Sequence, residues 1–150
     1  MKTAIQELEM KGKAAKAAAH RLAYLSTEVK NKALANIAND LLVRKDEILV
    51  ANETDCKEAE ASGMNAAMLD RLMLNSSRLE GMAQDVLTVA ALPDPVGEVF
   101  DMRTLLNGLL IGRKRVPIGV IGAIYESRPN VTIDVSVLCL KSGNAVILTP

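Results

Sequence analysis

The side chains best suited to chemistry are concentrated in one run, Tyr125-Glu126-Ser127-Arg128-Pro129-Asn130. The Asn130 amide carries a neutral NH₂ donor of the kind that stabilises a developing oxyanion. Asparagine is also a preferred helix N-cap, and on the residues alone capping is the favoured role. Arg128 offers a planar guanidinium fork for a carboxylate or a phosphate. A local pair with Glu126 competes equally for that fork. Neither a Gly-x-Gly-x-x-Gly fingerprint nor a Gly-x-x-x-x-Gly-Lys phosphate loop is present. Gly119 and Gly122 form only a Gly-x-x-Gly pair inside a strand-like run, where glycine lets a helix approach closely.

Other reactive side chains are poorly placed for catalysis. His20 is the only histidine and stands among alanines beside Arg21, which reads as a surface or packing position. Cys139 lies between Leu138 and Leu140 and behaves as a small hydrophobe. Cys56 is surrounded by Glu53, Asp55 and Glu58, which raise a thiol pKa and disfavour the thiolate. One histidine and two distant cysteines do not make a closed zinc site, so no metal is expected. Arg113-Lys114-Arg115 suits an anion site or a charged strand edge that resists aggregation, and the charged edge is the preferred reading.

The elements that position the loop follow from periodicity. Nearly all the alanines precede Leu92, whereas all five prolines and most Val and Ile follow it. The first part reads as helix and the second as strand-containing α/β. A first helix is expected over about Thr3–Leu25. Ser26 caps a second, in which Leu34, Ile37, Leu41 and Ile48 form one buried face and Asn52 marks an interruption. Gly63 ends that run. A short helix covers Ala66–Met73. Another opens on a Ser77/Glu80 capping box, turns Leu79, Met82, Val86 and Ala90 inward, and stops at Pro93 and Pro95.

Asn107-Gly108 between Glu98–Arg103 and Leu109–Val116 predicts a β-hairpin. Ile118–Tyr125 lacks alternation and reads as a strand buried on both faces. A helix over Val131–Lys141, a stop at Gly143 and a strand at Ala145–Leu148 complete a βαβ unit. Ligands of such sheets bind beyond the carboxyl ends of the strands, where Tyr125–Asn130 lies. Two parallel strands do not complete a doubly wound sheet, so the chain reads as an N-terminal piece of something larger.

Composition excludes several classes. Eighteen basic and eighteen acidic residues leave no net charge, hence no electrostatic footprint for nucleic acid or anionic lipid. Phe100, Tyr24 and Tyr125 are too few for base stacking. The early acidic residues Glu7 and Glu9 exclude a secretory h-region, no long apolar stretch spans a membrane, and two cysteines make no disulfide framework. A cytoplasmic location is the expectation.

The segment Val116-Pro117-Ile118-Gly119-Val120-Ile121-Gly122-Ala123-Ile124-Tyr125-Glu126-Ser127-Arg128-Pro129-Asn130-Val131-Thr132 closely resembles the gamma-glutamyl phosphate reductases of the aldehyde dehydrogenase superfamily. Leu138–Leu148, Ala67-Met68-Leu69-Asp70-Arg71-Leu72 and Leu92-Pro93-Asp94-Pro95-Val96-Gly97 are similar to the same family. The resemblance covers essentially the whole chain but only the N-terminal part of the family's length. It implies NADPH-dependent reduction of L-glutamyl 5-phosphate to L-glutamate 5-semialdehyde and phosphate, in proline biosynthesis, by a small-molecule enzyme that forms homo-oligomers.

It also implies roles. Asn130 is similar in position to the superfamily's oxyanion-stabilising asparagine, which moves the balance from cap to catalysis. Arg128 and Glu126 would bind substrate, and Tyr125, Ser127 and Leu148 would meet the cofactor. The family's nucleophilic cysteine lies beyond this chain, which is therefore expected to be inactive alone. After Ile147-Leu148 the family usually continues Arg-Gly-Gly, whereas this chain reads Thr149-Pro150. The implied division is a helical part of the cofactor-binding domain (1–92), a hairpin oligomerisation segment (93–117) and the first βαβ unit of the NADP-binding domain (118–150). The rival readings are a non-enzymatic interaction or structural fragment and another acylating aldehyde dehydrogenase.

Overall fold

The structure, a computed structural model, describes residues 4–149. Its elements run α1 (Ala4–Leu22), α2 (Thr27–Val43), α3 (Lys45–Ala61), α4 (Ala66–Leu72), α5 (Ser76–Ala91), β1 (Val99–Thr104), β2 (Leu110–Lys114), β3 (Val120–Ile124), α6 (Pro129–Lys141) and β4 (Ala145–Thr149). The chain is thus α/β, with an antiparallel β1–β2 pair and a parallel β3–β4 pair joined through α6.

Most boundaries follow local chemistry. Ser26 caps α2, its hydroxyl accepting from the Val29 N–H at 3.3 Å. Gly63 and Gly143 take positive φ just past the ends of α3 and α6. At Gly143 a side chain is excluded twice over. Its φ is +73°, and a Cβ would meet Pro117 Cγ at 2.9 Å.

Five expectations are corrected. The first helix ends at Leu22 rather than Leu25 (Thr3 lies outside the described residues). The α2–α3 break falls at Arg44, not Asn52. Asn52 instead lies within α3, buried, and ties off the end of α4. Its Oδ1 accepts from the Leu74 N–H at 2.7 Å and its Nδ2 donates to the Leu72 carbonyl at 2.9 Å. The N-cap of α5 is Asn75, whose Oδ1 accepts from the Arg78 N–H at 2.8 Å, so no Ser77/Glu80 box forms. Finally, β3 is not buried on both faces, since Ile124 is 89% exposed. Nothing lies within 4 Å of a Cβ at Gly119 or Gly122, so neither glycine is needed to make room for a neighbour, and Gly119 serves a backbone φ of +119°.

Because Asn52 satisfies two backbone groups at once, Asn52→Ala is expected to destabilise the fold by about 1–3 kcal/mol, the cost of orphaning buried polar groups. Urea denaturation with an unchanged slope and a lowered midpoint is the check.

The main core is formed by Leu34, Ala38 and Leu41 of α2, Leu79, Met82, Ala83 and Val86 of α5, and Val137 of α6. A smaller one joins Ala15 and Ala19 of α1 to Ala145 of β4. Small side chains on α1 let that helix lie against the strand. A buried polar cluster connects α2 to the end of α6. Lys30, 1% exposed, places Nζ 2.5 Å from Asp94 Oδ2 and donates to the Lys141 carbonyl at 3.1 Å. Lys141 Nζ donates to Asn31 Oδ1 at 2.7 Å and the Ala90 carbonyl at 2.8 Å. Asp94 also accepts from Thr27 Oγ1 and the Val96 N–H.

The hairpin follows its Asn-Gly signal, with Gly108 at φ +82°. Its register shifts between Phe100 and Arg103, where Asp101 has positive φ, the geometry of a bulge. Arg113 pairs with Asp101 at 3.5 Å and Arg115 with Glu98 at 2.5 Å, so two cations of the basic run are engaged across the strands. This is the charged-edge arrangement.

Candidate functional site

The β3–α6 loop owes its shape to a strained turn followed by a proline. Ser127 has a left-handed φ of 49°, rare for a residue with a side chain. Arg128 occupies the N-cap of α6 at φ −139° and ψ 85° without a side-chain cap bond, and Pro129 takes the first helical turn, where its missing N–H costs nothing. Asn130 is therefore inside the helix. The capping role that its residue type suggested is not the one it has.

The Asn130 side chain turns instead to its own helix. Its Nδ2 donates to Asp134 Oδ2 at 3.3 Å, one helical turn on. Burial pushes the Asp134 carboxyl up; the Asn130 hydrogen bond opposes this and the charge of Asp85 on α5 adds to it, leaving the group above its ordinary value. Tyr125 at the strand end is half-buried, its hydroxyl 2.5 Å from Thr132 Oγ1.

Arg128 and Asn130 face the α4–α5 junction across a cleft of about 400 Å³ lined also by Asp70, Arg71, Met82 and Asp85. Arg78 braces that junction. Its guanidinium donates to the carbonyls of Asp70 and Met73 and meets the Asp70 carboxylate at 3.1 Å. Among the described residues Arg128 has no ion-pair or hydrogen-bond partner for its side chain, so of the two equal readings the local pair with Glu126 is not the one formed. Its charge is free to meet a ligand.

The other sequence-derived positions are not all in this cleft. Glu126 is exposed and, like Tyr125 and Ser127, stands on the loop without lining it. Leu148 lies in a separate groove with Ala14, Ala18 and Ser136, between α1, α6 and β4. That groove is mainly apolar, with Ser136 as its one hydroxyl-bearing lining residue. An apolar lining of this kind suits the flat base of a dinucleotide. Lys11 also lines this groove and pairs with Glu7 at 2.6 Å.

Neither thiol is primed. Burial, then the charge of Asp55, raises the Cys56 pKa, and burial raises that of Cys139. Cys139→Ala should cost about 1 kcal/mol of stability and leave turnover near normal, because the thiol contributes packing. Thermal melting and steady-state rates on the same variant check this. His20 is exposed on α1. Among the described residues no group of three or more His, Cys, Asp or Glu is placed to hold a metal ion, and no helix is long and apolar enough to cross a membrane.

Sequence reasoning missed Asp85, Asp134 and Arg71. The four-residue spacing from Asn130 to Asp134 was a readable helical signal. The approach of α5 to α6, which brings in Asp85, had none.

No family model matches the chain. It is 62% identical over 148 residues to the gamma-glutamyl phosphate reductase of Dehalococcoides mccartyi strain 195, a match covering 99% of this chain and 35% of that protein. It is 58% identical over 142 residues to the enzyme of that name from Chloroflexus aurantiacus, covering 95% and 34%. The crystal structure of the Thermotoga maritima gamma-glutamyl phosphate reductase superposes with a TM-score of 0.90 at 47% identity, over 95% of this chain and 34% of that one. The Saccharomyces cerevisiae structure gives 0.89 at 35% identity, over 99% and 37%. The chain spans about a third of the length of the curated relatives it matches. Sequence and fold agree along that span, so the chain belongs to the gamma-glutamyl phosphate reductase family and corresponds to the N-terminal part of its members.

Proposed function

We propose that this chain is the N-terminal portion of an NADPH-dependent reductase of the aldehyde dehydrogenase superfamily, converting L-glutamyl 5-phosphate to L-glutamate 5-semialdehyde and phosphate in proline biosynthesis. It acts as a homo-oligomer in the cytoplasm. Within it, residues 1–92 and 118–150 build the cofactor-binding domain, and 93–117 form a hairpin for subunit contact. The observation that carries this reading is the unpartnered Arg128 guanidinium beside the Asn130 amide in one cleft at the carboxyl end of β3.

Each side chain has a task that its setting permits. Arg128 holds an anionic group of the substrate through its planar fork. Glu126, on the same exposed loop, contacts the substrate from the rim. Attack on the acyl phosphate by a cysteine that the family carries outside this segment puts negative charge on the carbonyl oxygen, and the Asn130 amide donates to that oxygen. Asp134 fixes the rotation of the amide by accepting one of its two protons and leaving the other to donate. Tyr125, Ser127 and Leu148 hold the nicotinamide cofactor, which supplies hydride when bound. The excess of apolar over polar surface at Leu148 favours a base there.

The test is the reverse reaction of the full-length protein, followed as NADPH formation from glutamate 5-semialdehyde, phosphate and NADP⁺. Arg128→Ala should raise the KM of an anionic substrate about tenfold to hundredfold, the range for one charged hydrogen-bonding group. Absence of phosphate-dependent NADPH formation by the wild-type protein sinks the reading.

A further inference from the structure

The cleft holds more charge than Arg128. Asp70 is committed to Arg78, and Asp134 to Asn130. Among the described residues this leaves Arg71, Arg128 and Asp85 lining the cleft with no ion-pair or hydrogen-bond partner for their side chains. They come from three elements: the last turn of α4, the β3–α6 loop and the middle of α5. Two cations and one carboxylate therefore face one cavity. Its volume of about 400 Å³ lies within the range for small-molecule sites, roughly 300–1,000 Å³.

An unpaired carboxylate beside two guanidinium groups that do not neutralise it is unexpected in a site for a simple anion, which it would repel. It suits a ligand that carries its own positive charge. Resting on the function proposed above, we propose that Asp85 recognises the α-ammonium group of the substrate and makes the site selective for an amino acid derivative over the acid lacking the amine. Arg71 and Arg128 serve the two anionic ends, the α-carboxylate and the phosphoryl group. The charges then correspond: one carboxylate for one ammonium, two guanidinium groups for two anions. Asp134 is not the receptor, because it does not line the cleft and its Oδ2 accepts from Asn130. Asp85 is exposed on α5 and lines the cleft.

The experiment compares two aldehydes in the reverse reaction of the full-length enzyme with phosphate and NADP⁺: glutamate 5-semialdehyde and 5-oxopentanoate, the same chain without the amine. The wild-type enzyme is expected to prefer the amino-bearing aldehyde in kcat/KM by about tenfold to hundredfold, the range for one charged hydrogen-bonding partner. Asp85→Asn should remove most of that preference by raising KM for glutamate 5-semialdehyde, while kcat/KM for 5-oxopentanoate stays level or rises. Asp85→Glu should restore part of it. Asp85 is exposed, so these variants should melt with the wild type. A wild-type preference that persists in Asp85→Asn overturns the proposal and leaves the reductase reading intact. A wild-type enzyme inactive on glutamate 5-semialdehyde overturns both.

Discussion

Asn130→Ala in the full-length enzyme is expected to lower turnover by about 10²–10³ with little change in KM, because an oxyanion donor acts on charge that exists mainly in the transition state. The position of Asn130 sharpens the test. It lies inside α6, and Arg128 holds the N-cap, so the roughly 0.5–2 kcal/mol penalty of a lost cap is not expected. Melting should therefore stay near wild type while the rate falls. Asn130→Asp should be as inactive as the alanine variant. A carboxylate repels an oxyanion, and here it would also stand against Asp134, with which Asn130 is now hydrogen-bonded at 3.3 Å. Wild-type turnover in a stable Asn130→Ala protein would remove the residue from the mechanism.

The largest effect on stability is expected at the Lys30–Asp94 pair. Asp94→Ala leaves a lysine that is 1% exposed without its counter-charge, and removing one partner of a buried pair costs about 3–5 kcal/mol. Lys30→Met combined with Asp94→Ala should recover much of that loss, because no uncompensated charge remains; the double-mutant cycle measures the coupling. The pair also gives a pH dependence. Burial alone would raise the Asp94 pKa, but hydrogen bonds from Lys30, Thr27 and the Val96 N–H outweigh it and hold the carboxyl below its ordinary 3.8. Its folded value lies below its unfolded value, so its contribution is fully present above about pH 3.8 and is lost as pH falls through the folded value. Burial, partly offset by Asp94 and reinforced by Lys30, lowers the Lys141 pKa from 10.5. Between its folded value and 10.5 the unfolded chain binds more protons there, so this group makes stability rise with pH in that window. Urea midpoints across pH, wild type against Asp94→Asn, separate the two: the acid-side loss should shrink by the Asp94 share in the variant, leaving that of Glu7, Glu47 and Glu53, and the alkaline rise should remain.

Signals confined to a few neighbouring residues were legible in the sequence. Asn107-Gly108 announced the hairpin, Ser26 the start of α2, and Gly63 and Gly143 the ends of α3 and α6. The βαβ unit followed from two apolar runs around a helical one. Signals with competing local solutions were misread. Asn75 and Ser77 both suit an N-cap, and only the path of the chain out of α4 decides between them. The break at Arg44 has no glycine or proline to announce it, and the apolar spacing passes through it from Leu41 to Ile48. The exposure of β3 depends on what covers it, which no local pattern reports. The site was half legible for the same reason. Arg128 and Asn130 share one loop with the recognisable run, whereas Arg71 and Asp85 reach the cleft only through packing of α4 and α5 near α6. Lys30 and Lys141 look like any surface lysines until folding buries them.

The Lys30 cluster also has a bearing on the order of assembly. Lys30 Nζ reaches a carbonyl 111 residues away, and Lys141 Nζ reaches Asn31 across 110. Closing so long a loop is entropically costly, whereas α1 to α5 form from near neighbours and α2 meets α5 over a much shorter stretch. The lysine contacts are therefore expected to form late, together with the docking of α6, and a Lys141→Met variant that unfolds faster but folds at the wild-type rate is the check. A residue of that kind leaves the speed of folding almost untouched and governs how long the folded state survives. The cluster thus acts as a latch that shuts last: weakening it shortens the lifetime of the assembled chain and its resistance to proteolysis, without slowing the route by which the chain is made.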